Sequence, residues 1–237
     1  VDEELRFFTG MHNPHSARHL PMACISATVL RRRRGPFIPP AGGWMMDSAA
    51  FTTIQRFGDF PHSPGEYAVE AERWRAQVPG LLIVVSQDYM CEPFILERTG
   101  LAVADHQRMT IERYDELLLA WSLISDGSVP IMPVLQGFEP EEYVDHIRQY
   151  GDRLLPGMWV GVGSVCKRQG DPSLIVRVLE AIKAERPDLR LHGFGVKLTA
   201  LRDPRVRALL YSADSMAWHG PSRPGSRGAM RTARSKR

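Results

Sequence analysis

Two aspartates in this sequence each follow a short apolar run. Asp47 closes Trp44-Met45-Met46 and opens Ser48-Ala49-Ala50-Phe51, and Asp214 lies within Leu209-Leu210-Tyr211-Ser212-Ala213-Asp214-Ser215-Met216-Ala217-Trp218. A carboxylate directly after an apolar run sits where a strand leaves the core for a loop, and in α/β proteins that edge is where chemistry is built. Two such aspartates brought to one pocket could cut and remake a glycosidic bond. Asp47 could instead simply cap the helix that follows it.

The other apolar runs end in the same way. Gln87-Asp88-Tyr89-Met90-Cys91-Glu92-Pro93 follows one, Gln136-Gly137 another, Gly161-Val162-Gly163-Ser164 a third and Gly193-Phe194-Gly195-Val196-Lys197 a fourth. Parallel strands bring these ends to one face, so the combination predicts a site although each member has a plainer use. Asp88 could pair with an arginine, Gln136-Gly137 could be a turn, and Gly161-Val162-Gly163 lacks the rest of a dinucleotide fingerprint. Cys91 and Cys166 stand beyond strand ends as pocket-lining or inert buried thiols. His12, His15 and His19 cluster, but no Cys-x-x-Cys pair accompanies them, which argues against a local zinc site. No nucleophile elbow, phosphate-binding P-loop or kinase motif is present.

Strands that could carry these ends are predicted at 5–9, 44–46, 81–86, 130–135, 158–162, 189–194 and 210–213, apolar throughout as when both sheet faces are covered. Residues 23–30 read as an eighth strand or a helix. Helices lie between, with apolar stripes at Tyr67, Ala71, Trp74 and Val78, at Tyr114, Leu117, Leu118 and Trp121, and at Tyr143, Ile147 and Tyr150. Asp171-Pro172, Glu139-Pro140 and Asp203-Pro204 mark helix starts. The alternation predicts an α/β fold of parallel units, and 237 residues suffice for one barrel.

The net charge of +3 is local in origin. Residues 219–237 hold six Lys or Arg and no acid, leaving 24 basic against 27 acidic residues elsewhere. This basic stretch has no apolar period and is expected to be a disordered tail after a domain spanning 1–218. Arg31, Arg32, Arg33 and Arg34 open a Pro- and Gly-rich loop over 31–43 and are candidate phosphate contacts or a solvated loop. No run spans a membrane, no basic-then-apolar leader begins the sequence, and three scattered cysteines suit a reducing compartment; a cytoplasmic location without membrane association is expected.

Taken with Phe7-Phe8-Thr9-Gly10 and Val134-Leu135-Gln136-Gly137, the segments around Asp47, Asp88, Gly161 and Asp214 resemble the tRNA-guanine transglycosylase superfamily. The chain is most similar there to the deazapurine DNA-modification transglycosylases, DNA-acting relatives of queuine tRNA-ribosyltransferase. The resemblance implies a (β/α)8 TIM-like barrel that exchanges guanine in DNA for a 7-deazaguanine, such as 7-cyano-7-deazaguanine, through a covalent glycosyl-aspartate. The same exchange in tRNA, or a non-catalytic nucleic-acid-binding paralogue, remain open. By matched position, Asp214 is the nucleophile and Asp47 the second catalytic aspartate. Asp88 and Gln136 read the base edge, with Gly161, Gly163 and Ser164 in the loop that meets the base carbonyl. The arginine run would hold the nucleic-acid backbone. The partners implied are DNA or tRNA and the free 7-deazaguanine, with further proteins that open the duplex or convert the base. No cysteine follows Asp214, so the structural zinc of tRNA-acting relatives is not expected, nor any other cofactor. No amphipathic helix follows Trp218, so barrel closure at the C-terminal end is expected to be incomplete.

Overall fold

The structure, a computed structural model, describes residues 4–165 and 171–216. It contains strands β1 (Arg6–Met11), β2 (Ala23–Ser26), β3 (Trp44–Asp47), β4 (Leu81–Val85), β5 (Ile131–Met132), β6 (Val134–Leu135), β7 (Trp159–Val162), β8 (Arg190–Gly193) and β9 (Ser212–Ser215). All ladders are parallel, and the strand order is β5-β4-β3-β2-β1-β9-β8-β7-β6. The two ends of that order are one stretch of chain. β5 pairs with β4, β6 pairs with β7, and only Pro133 separates them.

The result is a TIM-like α/β barrel with one unsealed seam, crossed there by covalent backbone. Pro133 has no N–H to offer a ladder, but its carbonyl accepts from the Gly161 amide at 2.9 Å. The opening therefore lies at Pro133, whereas the C-terminal strand β9 is paired on both sides, with β1 and β8. Residues 217–237, and with them the expected boundary at 218, the tail and any closing helix, lie outside the described residues, as does Cys166. Residues 23–30 are both of the things expected: β2 runs directly into the short helix α1 (Ala27–Arg31).

The remaining helices are α2 (Ala50–Phe57), α3 (Pro64–Gln77), α4 (Pro93–Thr99), α5 (Val103–Ile124), α6 (Pro140–Tyr150), α7 (Pro172–Glu185) and α8 (Pro204–Leu209). Five of them begin on proline, whose fixed φ suits the first turn and whose missing N–H would have had no partner there. Asp171 and Asp203 cap α7 and α8 by accepting from the amides two residues on, at 3.0 and 2.9 Å. The predicted stripes face the sheet, with Leu118 alone left at a rim.

Two apolar layers follow from strand alternation. Phe8, Cys24, Met45, Ile83, Val85, Met132 and Val134 point inward and fill the barrel. Their neighbours Ile25, Met46, Val84, Ile131 and Leu135 point outward beneath the helices. Carried two residues further, the inward parity turns polar: Cys24 is followed by Ser26, Met45 by Asp47 and Val134 by Gln136. The apolar layer is thus the floor of whatever lies above.

A core carried by helix-on-sheet packing gives a contrast measurable by chemical denaturation. Leu179→Ala, at a fully buried α7 position, is expected to lower the unfolding free energy by about 2–5 kcal/mol. Leu123→Ala, on the exposed side of α5, is expected to change it by less than about 0.5 kcal/mol.

Candidate active site

A cavity of about 360 Å³ opens at the C-terminal ends of the strands. Asp47, Asp88, Gln136, Gly163, Ser164 and Asp214 all line it. Gly161 does not. It lies one layer below, and a Cβ there would stand 2.3 Å from the ring of Phe194, which does reach the cavity. Its lack of a side chain makes room for that ring.

Asp47 ends β3, and its Oδ2 accepts from the Ala49 amide at 3.0 Å. Ala49 is left-handed at φ 66°, and that turn points the amide back at the carboxylate. Burial, then the charge of Asp214, pushes Asp47 up to about 6. Asp47 therefore lies within reach of the Asp214 charge. Cys24, between them on β2, is raised by burial and then by both carboxylates, so it is an un-ionised thiol in the wall.

The opposite wall is a hydrogen-bonded chain. Gln136 Nε2 donates to Asp88 Oδ2 at 2.5 Å, and Ser48 Oγ donates to Asp88 Oδ1 at 3.3 Å. Ser164 Oγ lies 2.8 Å from Gln136 Oε1 and 2.9 Å from Glu92 Oε2, and it accepts from the Cys91 amide at 3.0 Å. Burial pushes Asp88 up to about 7; the bond from Gln136 opposes this and the charge of Asp47 adds to it. Among the described residues Asp88 thus meets an amide and a hydroxyl, and no arginine. A Cβ on Gly163 would fall 2.1 Å from Gln136 Nε2, so the glycine leaves room for this carboxamide. The Gly163 amide donates to Leu135 in the ladder, which leaves that of Ser164 as the candidate for meeting a base carbonyl.

Helices α5 and α6 hold this wall from behind. His106 and Thr110 on α5 bind Met90 O at 2.6 Å and Tyr89 N at 2.9 Å, fixing the loop that carries Asp88. Gln107 Nε2 donates to Gln136 O at 2.8 Å. The Gln136 amide donates to His146 Nδ1 at 2.8 Å, and burial pushes His146 down to about 3, keeping it neutral and able to accept.

Asp214 is held differently. Its Oδ1 accepts from the Gly195 amide at 2.9 Å, and Gly195 takes a φ of 64° that glycine adopts without strain. His192 Nε2 stands 3.3 Å from the same oxygen. Neither His192 nor Glu92 is legible as a site residue in the sequence. His192 sits inside a strand, and Glu92 reads as the residue before the proline that opens α4. The signal available for His192 is its parity, two residues before Phe194 on the inward face.

The arginine run stands away from these walls. Arg31 pairs with Glu70 at 2.6 Å, and Arg33 donates to the carbonyls of Gly35 and Pro36 at 3.0 and 2.8 Å. Arg32 and Arg34 are exposed. Among the described residues no group of three or more His, Cys, Asp or Glu could hold a metal ion, and no helix is long and apolar enough to cross a membrane.

Residues 3–228 match the family model described as DpdA: DeoxyPurine in DNA protein A. No curated protein matches the chain.

Two outcomes follow from this geometry. Gly163→Ala must displace the Gln136 carboxamide from Asp88 and Ser164, so it is expected to weaken binding of a purine-like base about ten-fold or more by calorimetry, with a small change in melting temperature. The pH dependence has a definite sign. Asp47 and Asp88 have folded-state values raised to about 6 and about 7, so the folded protein keeps protons that the unfolded chain releases from about pH 4 upward. Stability therefore falls as pH rises through that window. Asp88→Asn, which cannot ionise, is expected to lose about 1–3 kcal/mol less than the wild type between pH 5 and 8 in denaturant titrations.

Proposed function

The chain belongs to the DpdA (deoxypurine in DNA protein A) family, and from that premise we propose that it replaces guanine in DNA with a 7-deazaguanine through a covalent glycosyl-aspartate. The observation that carries this reading is the facing of Asp214 and Asp47 across one cavity whose third side is the Asp88–Gln136–Ser164 chain. Two displacements at one carbon need a nucleophile, a proton carrier and a base-reading wall, and these are the three sides.

In the first step a carboxylate oxygen of Asp214 attacks C1′ of the flipped nucleotide. The C1′–N9 bond breaks, its electron pair goes to guanine, and protonated Asp47 supplies the proton. Guanine leaves and the 7-deazaguanine takes its place. Asp47, now a carboxylate, accepts the N9 proton; N9 attacks C1′, and Asp214 departs as the carboxylate. The proton removed in the second step restores Asp47, and the sugar keeps its configuration. A carboxyl raised to about 6 serves both steps near neutrality. Asp88 would accept from N1–H and the exocyclic amine, with Gln136 and the Ser164 amide at O6. This requires Gln136 to share or release Asp88. No lysine or arginine lines the cavity among the described residues. That suits a neutral base, leaving phosphates outside, where Arg32 and Arg34 are the exposed members of the arginine run. We place the protein in the cytoplasm, with DNA and the free 7-deazaguanine as its partners and separate proteins to open the duplex or convert the inserted base.

The test is incubation with labelled 7-cyano-7-deazaguanine and either duplex DNA or tRNA, followed by digestion to nucleosides. Label is expected in DNA. Label in tRNA alone would assign the exchange to tRNA, and binding of DNA with no exchange would make the protein a binding paralogue. Asp214→Ala is expected to reduce exchange by at least about 10³-fold and Asp47→Asn by about 10²-fold or more, with DNA affinity nearly unchanged.

A further inference from the structure

His192 takes no part in the scheme above, yet it is fully buried beneath the nucleophile. Its Nδ1 lies 2.8 Å from Ser212 Oγ, and Trp159 Nε1 lies 2.8 Å from that same oxygen. These contacts form a chain with a fixed direction. An indole N–H only donates, so Ser212 Oγ accepts from Trp159. The Ser212 hydroxyl is itself buried, and among the described residues the remaining neighbour for its single hydrogen is His192 Nδ1. Nδ1 therefore accepts. A neutral imidazole that accepts at Nδ1 carries its hydrogen on Nε2, which faces Asp214 Oδ1 at 3.3 Å. A doubly protonated ring would leave the Ser212 hydrogen without an acceptor. The ring is also confined, with the centroids of Phe8, Trp159 and Phe194 at 6.0, 6.4 and 4.6 Å.

Both donors to Asp214, the Gly195 amide and His192 Nε2, fall on Oδ1. We propose that His192 is a positioning residue for the nucleophile: Trp159, through Ser212, sets its tautomer, and its N–H holds Oδ1 so that Oδ2 is the atom that bonds to C1′. The division of labour between the two oxygens suits the chemistry. When Oδ2 becomes the ester oxygen, Oδ1 becomes its carbonyl. When N9 returns to C1′, the Oδ2–C1′ bond breaks and the electron pair spreads over a carboxylate whose other oxygen already has two donors. This inference rests on the exchange reaction proposed above, but its first premise, the tautomer, does not.

The test has two arms on the full chain. In the first, ¹⁵N-correlated imidazole spectra are expected to show His192 protonated on Nε2 in the wild type. Trp159→Phe and Ser212→Ala are expected to shift it toward the Nδ1–H form or a mixture. An Nδ1–H ring in the wild type, or a tautomer indifferent to both variants, overturns the proposal whether or not the protein exchanges bases. In the second arm, His192→Leu is expected to lower kcat for exchange about 10²-fold, with KM for the free base within about three-fold. His192→Gln, whose amide can reach the same oxygen, is expected to recover at least about ten-fold of that loss. Equal impairment in the Leu and Gln variants, or a Leu variant as fast as wild type, overturns the positioning role. A wild-type protein with an Nε2–H ring and no exchange would instead overturn the reaction proposed for the site.

Discussion

Strand alternation inside a nearly closed parallel circuit dictates where the other groups of this molecule can lie. The ladders run round from β5 to β6, and the two ends are joined through Pro133 by the chain itself. Every strand must then send alternate side chains into a narrow interior. Seven apolar residues fill much of that interior, so a polar group on the same parity lies in the C-terminal mouth or, like His192 and Ser212, in a hydrogen-bonded chain just beneath it. Asp47, Gln136, Gly163 and Asp214 converge because each is the last inward-facing position of its strand or just beyond it, at the same end of the barrel.

That placement determines the electrostatics. Carboxylates above an apolar floor lose solvation, and protonation becomes easier. Asp47 and Asp88 are both raised, each by burial before anything else. Among the described residues the cavity wall offers these carboxyls no lysine or arginine and meets them with amides and hydroxyls. An amide or hydroxyl can be exchanged for an equivalent group on a ligand, whereas a buried ion pair is much harder to open.

The outer layer gives the site its rigidity. α5 and α6 present His106, Gln107, Thr110 and His146 to the backbone of the loops after β4 and β6, and each makes a hydrogen bond inside the protein. The Asp214 side is held from within the barrel instead, by Trp159, Ser212 and His192 in line. One wall is therefore braced from outside and the other from below, which lets the cavity between them stay open.

The amino-acid pattern alone carries the parallel α/β architecture, the helix starts at Asp171, Asp203 and Pro140, and the residues that stand at strand ends. It could do so because apolar runs, proline and capping side chains act locally, within a turn or a strand. It also singled out Asp47, Asp88, Gln136 and Asp214, since a polar residue closing an apolar run is visible without a partner. Which of these touch depends on how the strands and loops assemble in three dimensions. Asp88 is off the inward parity of Val85, and the loop anchored on α5 brings it to Gln136. Gly161 belongs under Phe194 rather than in the wall. Arg31 and Arg33 are engaged within the protein, and the seam lies at Pro133. His192 became visible only in three dimensions, because its partners are 20, 22 and 33 residues away in the chain. Hydrogen-bond direction belongs to an assembled chain of donors and acceptors, and no local pattern encodes it.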